Sequence, residues 1–111
     1  MNANEMRHIA DDVSELLKTL ANSNRLMALC ELHDSECSVG ELAERVGVRD
    51  QAMSQQLSIL RAKGLVRTRR EGQTIYYSLA RDDVRRIIET LYQQYCTKGR
   101  GKSQRSRASA S

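Results

Sequence analysis

Residues 48–80 carry the clearest structural signals of the chain: Val48-Arg-Asp-Gln-Ala-Met-Ser-Gln-Gln-Leu-Ser-Ile-Leu-Arg-Ala-Lys-Gly64, followed by Leu65-Val-Arg-Thr-Arg-Arg-Glu71, Gly72-Gln73 and Thr74-Ile-Tyr-Tyr-Ser-Leu-Ala80. Met53, Leu57 and Leu60 recur at helical spacing and form one apolar face. The opposite face collects four uncharged polar side chains, Gln51, Ser54, Gln55 and Ser58. A solvated helix face is usually rich in Lys and Glu, whereas amides and hydroxyls suit the edges of bases. The stretch therefore predicts a helix, residues 50–63, that enters the major groove of duplex DNA.

The segment after this helix, residues 65–79, predicts a β-hairpin wing. Apolar or hydroxyl side chains alternate with arginines in its first half, and the turn falls at Gly72-Gln73. Successive side chains of a strand point to opposite faces, so Arg67 and Arg69 share a face and not all three wing arginines are expected to touch DNA. The wing candidates for phosphate or minor-groove contact are Arg67, Arg69, Arg70, Gln73 and Thr74.

Helical periodicity also predicts the elements on either side. A first helix spans about residues 4–20, a second begins at an N-cap Ser23, and a third opens at the capping-box sequence Ser38-Val-Gly-Glu41. A last helix follows the wing at about residues 82–96. Four helices, a hairpin and a final helix make a mainly α fold with a small β-hairpin (α+β), of the winged helix-turn-helix type.

The charge distribution agrees with this organisation. Residues 1–48 hold four basic and nine acidic side chains, residues 49–96 nine basic and five acidic, and residues 97–111 five basic and none acidic. The positive charge is thus concentrated in the half of the chain that is predicted to contact DNA, where it would attract the phosphates. Residues 1–96 are expected to form one domain, and residues 97–111 a disordered basic tail.

Composition narrows the class of protein further. Nothing in the chain resembles a signal peptide or a membrane span, so a cytoplasmic protein, nucleoid-associated when bound to DNA, is expected. Three cysteines, an odd number, argue against a disulfide scaffold in a reducing compartment. The sequence has no catalytic Ser/His/Asp set, Gly-rich phosphate loop or paired-carboxylate signature, so neither an enzyme nor a cofactor is predicted.

Two residues flank the predicted recognition face. Gln56 projects from the side of the helix, where it reaches a base or phosphate or else satisfies a neighbouring backbone group. Arg49, near the helix N-terminus, is placed for a phosphate but is equally compatible with a plain surface cation.

The whole pattern resembles the ArsR/SmtB family of dimeric bacterial transcriptional repressors, over about residues 14–96. The resemblance rests on Leu17-Lys-Thr-Leu-Ala-Asn-Ser-Asn-Arg-Leu26, Ser38-Val-Gly-Glu-Leu-Ala43, Met53-Ser-Gln-Gln-Leu-Ser-Ile-Leu-Arg-Ala-Lys-Gly-Leu-Val66 and Arg69-Arg-Glu-Gly-Gln-Thr-Ile-Tyr-Tyr-Ser78. It implies a homodimer that pairs its first and last helices and binds a partly palindromic operator. It also implies a polar DNA-contacting residue at Gln56 and, at Arg49, a small capping residue that this chain lacks.

Within that family the chain is similar to the branch without metal sites, which includes sulfur- and redox-responsive repressors. Metal-sensing members use a Cys-x-Cys pair or ligands along the last helix, whereas this chain has a lone Cys37 and histidines only at His8 and His33. No metal is therefore expected. Cys30 and Cys96 match the thiol pair of dithiol sulfur-sensing members, although a free cysteine is also a common small core residue.

Three functions remain open from the sequence. The first is a homodimeric repressor of transcription, with or without a small-molecule effector. The second is a redox- or persulfide-sensing repressor switched by Cys30 and Cys96. The third is a winged helix that binds only proteins, which the polar face of the predicted recognition helix disfavours because interface cores prefer apolar and aromatic groups.

Overall fold

A computed structural model of the chain describes residues 1–97. Its elements are α1 (Ala3–Met6), α2 (Ala10–Leu20), α3 (Ser23–Asp34), β1 (Cys37–Ser38), α4 (Val39–Val46), α5 (Asp50–Ala62), β2 (Val66–Glu71), β3 (Thr74–Leu79), α6 (Asp82–Tyr92) and a π-helical turn (Gln93–Thr97). The basic tail predicted at residues 97–111 lies outside the described residues apart from Thr97. None of the helices in residues 1–97 is long and apolar enough to cross a membrane.

The helix-turn-helix consists of α4 and α5, and its local sequence signals act as predicted. The Ser38 N–H donates to Glu41 Oε1 at 2.8 Å, and the Glu41 N–H donates to Ser38 Oγ at 3.2 Å, which completes the capping box. Gly47 ends α4 with φ +88°, and Gly64 follows α5 with φ +77°. Both angles are left-handed, a region that favours glycine because it has no Cβ.

One apolar cluster holds the domain together. Its buried members come from α2, α3, α4, α5, α6 and all three strands: Leu20, Ala28, Leu29, Leu32, Cys37, Leu42, Ala43, Met53, Leu57, Leu60, Leu65, Val66, Leu79, Val84 and Ile88. Because α5 contributes three of these side chains, its inner face is fixed against the rest of the domain and its outer face is fixed toward solvent.

The sheet has one strand more than predicted. β2 and β3 form the expected antiparallel hairpin, with Val66 opposite Leu79 at its base and Glu71 opposite Thr74 at its tip. β1 adds an antiparallel edge on the other side of β3, pairing Cys37 with Tyr77 and Ser38 with Tyr76, so the strand order is β1-β3-β2. The wing is therefore joined to the segment that leads directly into the helix-turn-helix.

Four helices differ from the prediction in their bounds, and for α5 the difference is only that it ends at Ala62 rather than at residue 63. The first helix is split into α1 and α2, because Ile9 has φ −116° and ψ 2°, outside the helical region. Asn22, rather than Ser23, caps α3, since its side chain accepts the Arg25 N–H at 3.0 Å. The last helix, predicted to run to residue 96, is α-helical only to Tyr92 and continues as the π-helical turn.

Candidate nucleic-acid interface

The two faces of α5 are separated as the periodicity predicts. Met53, Leu57 and Leu60 are fully buried. The four polar residues opposite them, Gln51, Ser54, Gln55 and Ser58, are all exposed. The fold thus presents a row of uncharged hydrogen-bonding side chains on a helix whose rotation is fixed by its core face. Such a row can donate to and accept from base edges.

Arg49 lies exposed at the start of this helix. It occupies the N-cap position of α5 and makes no side-chain capping bond. The first backbone N–H groups of α5 therefore lack that cap, and the positive end of the helix lies beside a cation. Arg49 can pair with an anion such as a phosphate, and the negative charge of Asp50 in the first turn of α5 weakens the positive potential there.

Gln56 has a partner within the protein. Its Oε1 accepts from Arg25 Nη1 at 2.9 Å, and Arg25 Nε donates to the Thr19 carbonyl at 2.6 Å. The half-buried Gln56 thereby ties α5 to α3 and to the end of α2. Only its amide nitrogen remains to donate elsewhere. Arg25 cannot be recognised as this partner from sequence, because the two residues are 31 positions apart.

All five predicted contact residues of the wing are exposed: Arg67, Arg69, Arg70, Gln73 and Thr74. Arg67 and Arg70 differ from Arg69 in the groups that they contact. Arg67 Nη2 donates to the Ala80 carbonyl at 3.2 Å, and Arg70 Nη1 donates to the Gly72 carbonyl at 3.5 Å. Both contacts are to neutral acceptors, so these two arginines keep their positive charge available to phosphates.

Arg69 differs from the other wing arginines because two carboxylates hold it. Its Nε and Nη2 donate to Glu36, with Nη2 to Oε1 at 2.8 Å, while its Nη1 donates to Glu71 Oε1 at 2.9 Å. Its guanidinium also lies 5.0 Å from the centroid of the Tyr76 ring. The bonds to Glu36 and then Glu71 raise the pKa of Arg69, and Arg69 lowers the pKa of Glu36. Sequence reasoning missed Glu36.

The thiols fall into two environments. Cys30 on α3 and Cys96 in the π-helical turn both have exposed surface, and Cys37 is buried. Packing around the sulfur of Cys30 desolvates its thiolate and raises its pKa, and the charge on Cys96 raises the pKa further, so the two groups are electrostatic neighbours. Cys37 Sγ accepts from Arg45 Nη1 at 3.3 Å. Within residues 1–97 no group of three or more His, Cys, Asp or Glu side chains is arranged to hold a metal ion.

His33 links α3 to α6 near Cys30. Its Nε2 lies 2.9 Å from Glu89 Oε2 and its Nδ1 lies 2.9 Å from Asp34 Oδ1, while Arg85 Nη1 donates to its carbonyl at 2.8 Å. The hydrogen bonds to Asp34 and then Glu89 raise the pKa of His33 above its ordinary value, against a smaller desolvation effect. The protonated imidazolium of His33 therefore links α3 and α6 more strongly than the neutral imidazole does.

This link predicts a pH-dependent stability. A raised pKa means that the folded state binds the proton more tightly than the unfolded state. The stabilisation is complete below the unfolded pKa of about 6.5 and is lost as the pH rises through the folded pKa. Both carboxylates are exposed, so we expect the loss in the free energy of unfolding to stay below about 1 kcal/mol.

Urea unfolding at several pH values between about 6 and 8 measures this effect. His33→Gln should flatten the dependence. The matched control is His8→Gln, at an exposed turn position between α1 and α2, which should keep it. Parallel pH profiles for the wild type and His33→Gln would show that the link does not contribute.

The fold and the polar and basic surface together define a class of protein, a winged helix-turn-helix domain of the kind found in transcriptional regulators. Residues 22–68 match the family model described as "Bacterial regulatory protein, arsR family". The transcriptional activator HlyU of Vibrio cholerae is 46% identical over 96 residues, which span 86% of this chain and 89% of HlyU. The chain belongs to the ArsR family of bacterial transcriptional regulators, as its sequence motifs predicted.

Two further relatives are similar to the chain over most of its length. The biofilm growth-associated repressor of Agrobacterium fabrum is 48% identical over 91 residues, 82% of this chain and 78% of that protein. The sequence motifs also resemble those of the rhizobial nodulation-gene repressor. Nodulation protein NolR of Rhizobium meliloti is 44% identical over 91 residues, 82% of this chain and 75% of NolR.

Solved structures share the architecture. The transcriptional repressor BigR of Xylella fastidiosa superimposes with a TM-score of 0.81 at 39% identity, covering 87% of this chain and 99% of BigR. The homodimeric winged helix-turn-helix DNA-binding domain Mb0332 of Mycobacterium bovis gives a TM-score of 0.70 at 32% identity, with coverage of 84% and 86%. The mainly α winged helix-turn-helix class predicted from the sequence is thereby confirmed.

Proposed function

We propose that this chain is a homodimeric, sequence-specific DNA-binding repressor of transcription. It inserts α5 into the major groove of a partly palindromic operator and rests its wing on the flanking DNA. The observation that supports this most strongly is the exposed, uncharged polar face of α5 beside a basic hairpin. Operator binding excludes RNA polymerase from the promoter, and the protein works in the cytoplasm at the nucleoid.

Base recognition is assigned to the outer face of α5. A glutamine amide matches the donor and acceptor of adenine N6 and N7, so Gln51 and Gln55 are the main specificity residues and Ser54 and Ser58 adjust to either base type. Arg49, Arg67 and Arg70 contact phosphates, which set orientation and affinity but not sequence. Gln73 and Thr74 occupy the wing tip, next to the minor groove. Gln56 supports the helix through its oxygen and adds a flank contact through its amide nitrogen.

The dimer is assigned to the first and last helical segments. Apolar side chains are exposed there on the described chain: Met6, Ile9 and Leu17 on the N-terminal side, and Tyr92 and Tyr95 at the C-terminal end. Exposed apolar residues of this size are stabilised when a second copy covers them. A two-fold dimer presents two copies of α5 and so requires two half-sites, about 34–36 Å apart for one turn of DNA.

Fluorescence anisotropy with the DNA upstream of the chain's own gene tests the proposal. We expect a Kd in the range of about 10⁻⁸–10⁻¹¹ M, and binding to a scrambled duplex of equal composition at least about 10³-fold weaker. The salt concentration is held constant between the two, because phosphate contacts alone depend steeply on salt. Equal binding to both duplexes would contradict sequence-specific recognition, and no binding to either would favour a domain that binds only proteins.

A second candidate function, a thiol-switched repressor, is favoured by the electrostatic effect of Cys96 on Cys30, which raises the pKa of the Cys30 thiol, and by the exposure of both residues. With an organic trisulfide, the Cys30 thiolate displaces one organic fragment and Cys96 then displaces the other. A disulfide forms, the two thiols lose two electrons and two protons, and the trisulfide is reduced to a thiol and a persulfide. A Cys30–Cys96 bridge joins α3 to the π-helical turn that follows α6, and so changes the dimer that sets the half-site spacing.

The thiol switch makes a testable prediction. Organic trisulfide should release the reduced wild-type protein from its operator, with reversal by dithiothreitol, and Cys30→Ser or Cys96→Ser should abolish the release. The reaction should speed up with rising pH, because the raised pKa of Cys30 leaves little thiolate at neutral pH. Cys37→Ala, a change at the buried thiol, is the control and should respond as the wild type does. Operator binding that trisulfide leaves unchanged would reject this second function but not the first.

A further inference from the structure

Arg69 is engaged more fully by the protein than the other wing arginines. Three of its nitrogens donate to carboxylates, two of them to Glu36 in a bidentate arrangement and one to Glu71. Its guanidinium also packs near the Tyr76 ring, and Tyr76 is its cross-strand neighbour. The cluster of one arginine and two carboxylates has a net negative charge. A DNA phosphate therefore meets repulsion at this point of the wing and has to displace existing charge-assisted bonds.

Glu36 and Arg69 join two parts of the domain that are 33 positions apart in sequence. Glu36 directly precedes β1. The second residue of β1, Ser38, is also the N-cap of α4, so β1 leads straight into the helix-turn-helix. Arg69 lies in β2, on the far side of β3 from β1. Their bond therefore crosses the sheet and ties the outer strand of the wing to the entrance of the helix-turn-helix.

Arg70 has the opposite character. Strand alternation turns it to the other face of β2 from Arg69. Both arginines are exposed, but Arg70 Nη1 donates to a neutral acceptor, the carbonyl of Gly72 in the hairpin turn, at 3.5 Å. It thus offers a full positive charge near the tip of the wing.

We propose that Glu36 and Arg69 are positioning residues that set the angle of the wing relative to α4 and α5, and that Arg70, rather than Arg69, contacts the DNA backbone from the wing. The second half rests on the proposed DNA-binding function, and the first half does not. A fixed wing angle matters because α5 and the wing have to meet the same duplex at the same time. If the wing already holds this angle before DNA binds, binding does not have to order it, and the entropic cost of association is lower.

Arg69→Lys tests the positioning role, because lysine keeps the charge but cannot form the bidentate fork. Amide hydrogen exchange of the free protein is the readout, since it needs no DNA. We expect several-fold faster exchange at residues 70–75 in Arg69→Lys and in Glu36→Gln, and wild-type exchange in Arg70→Gln. Glu44→Gln, which removes an exposed carboxylate from α4, controls for the change in charge. Wild-type exchange in both Arg69→Lys and Glu36→Gln would overturn the positioning role.

The salt dependence of operator binding tests which arginine meets phosphate. Each phosphate contact contributes about 0.9 to the slope of log K against log salt, so Arg70→Gln should lower the slope of a dimer by about 2. Arg69→Lys and Arg69→Gln should weaken binding several-fold to a similar extent and keep the wild-type slope. A lower slope in Arg69→Gln, with wild-type affinity in Arg69→Lys, would identify Arg69 as the phosphate contact instead.

The two readouts separate the proposals. If the wild-type protein binds no DNA, the assignment of Arg70 fails together with the proposed function. The exchange measurement still decides whether Glu36 and Arg69 hold the wing.

Discussion

Gln55→Ala is expected to weaken operator binding by at least about 30-fold while leaving the fold intact. Gln55 lies almost directly opposite the buried stripe of α5 and is exposed. A bidentate contact between a side chain and a base discriminates by about 1–3 kcal/mol, and a dimer makes it twice, so about 2–6 kcal/mol is at stake. Binding to a scrambled duplex should change little, because phosphate contacts are untouched. Anisotropy titrations with both duplexes measure the difference.

The neighbouring glutamine provides the control. Gln56→Ala removes the oxygen that accepts from Arg25 Nη1, so the half-buried guanidinium loses a hydrogen bond. We expect it to lower the free energy of unfolding by about 1–3 kcal/mol and to affect specificity less than Gln55→Ala does. Gln55→Ala itself should stay within about 0.5 kcal/mol of the wild type, as exposed substitutions usually do. Wild-type specificity in Gln55→Ala would remove this residue from base recognition.

Leu57→Ala should cause a large loss of stability, well above that of a substitution at an exposed position of α5. Leu57 is fully buried on the inner face of α5. Truncating a buried leucine to alanine costs about 2–5 kcal/mol, since transfer free energy is lost and a cavity remains. That is a large share of a total stability of about 5–15 kcal/mol, and for a domain of this size it should lower Tm by at least about 10 °C.

Ile59→Ala is the matched control for Leu57→Ala. Ile59 lies on the same helix, two positions further along, but is 40% exposed. We expect its truncation to cost clearly less, about 1 kcal/mol or below. Thermal unfolding is compared at one protomer concentration, because dimerisation makes Tm depend on concentration. Equal losses for the two variants would mean that α5 does not pack on its predicted face.

The parts of the structure predicted correctly from sequence are those set by local signals. The period of Met53, Leu57 and Leu60 gave α5 and its rotation, and Gly72-Gln73 between alternating strands gave the hairpin. The capping box at Ser38 gave the start of α4. Each of these signals lies within a few residues of the feature that it determines.

The parts that were missed depend on distant residues or on nearly equal local choices. β1 has only two residues and exists because Cys37 pairs with Tyr77, 40 positions away. The Glu36–Arg69 bond follows from that pairing, so a single sequence gives no sign of it. The sequence predicts the cap of α3 one residue late because Asn22 and Ser23 are both good N-cap residues, and only the extended backbone of Asn22 decides between them.

Selection of binding sites from a random duplex library tests whether α5 recognises a specific base sequence. The proposed function predicts enrichment of one inverted repeat, with half-site centres about 10–10.5 base pairs or a multiple apart. It further predicts that Gln55→Ala loses the base preference at one symmetric position in each half-site. Recovery of sequences no more related than the starting library, at a salt concentration where the protein still binds DNA, would contradict recognition by α5.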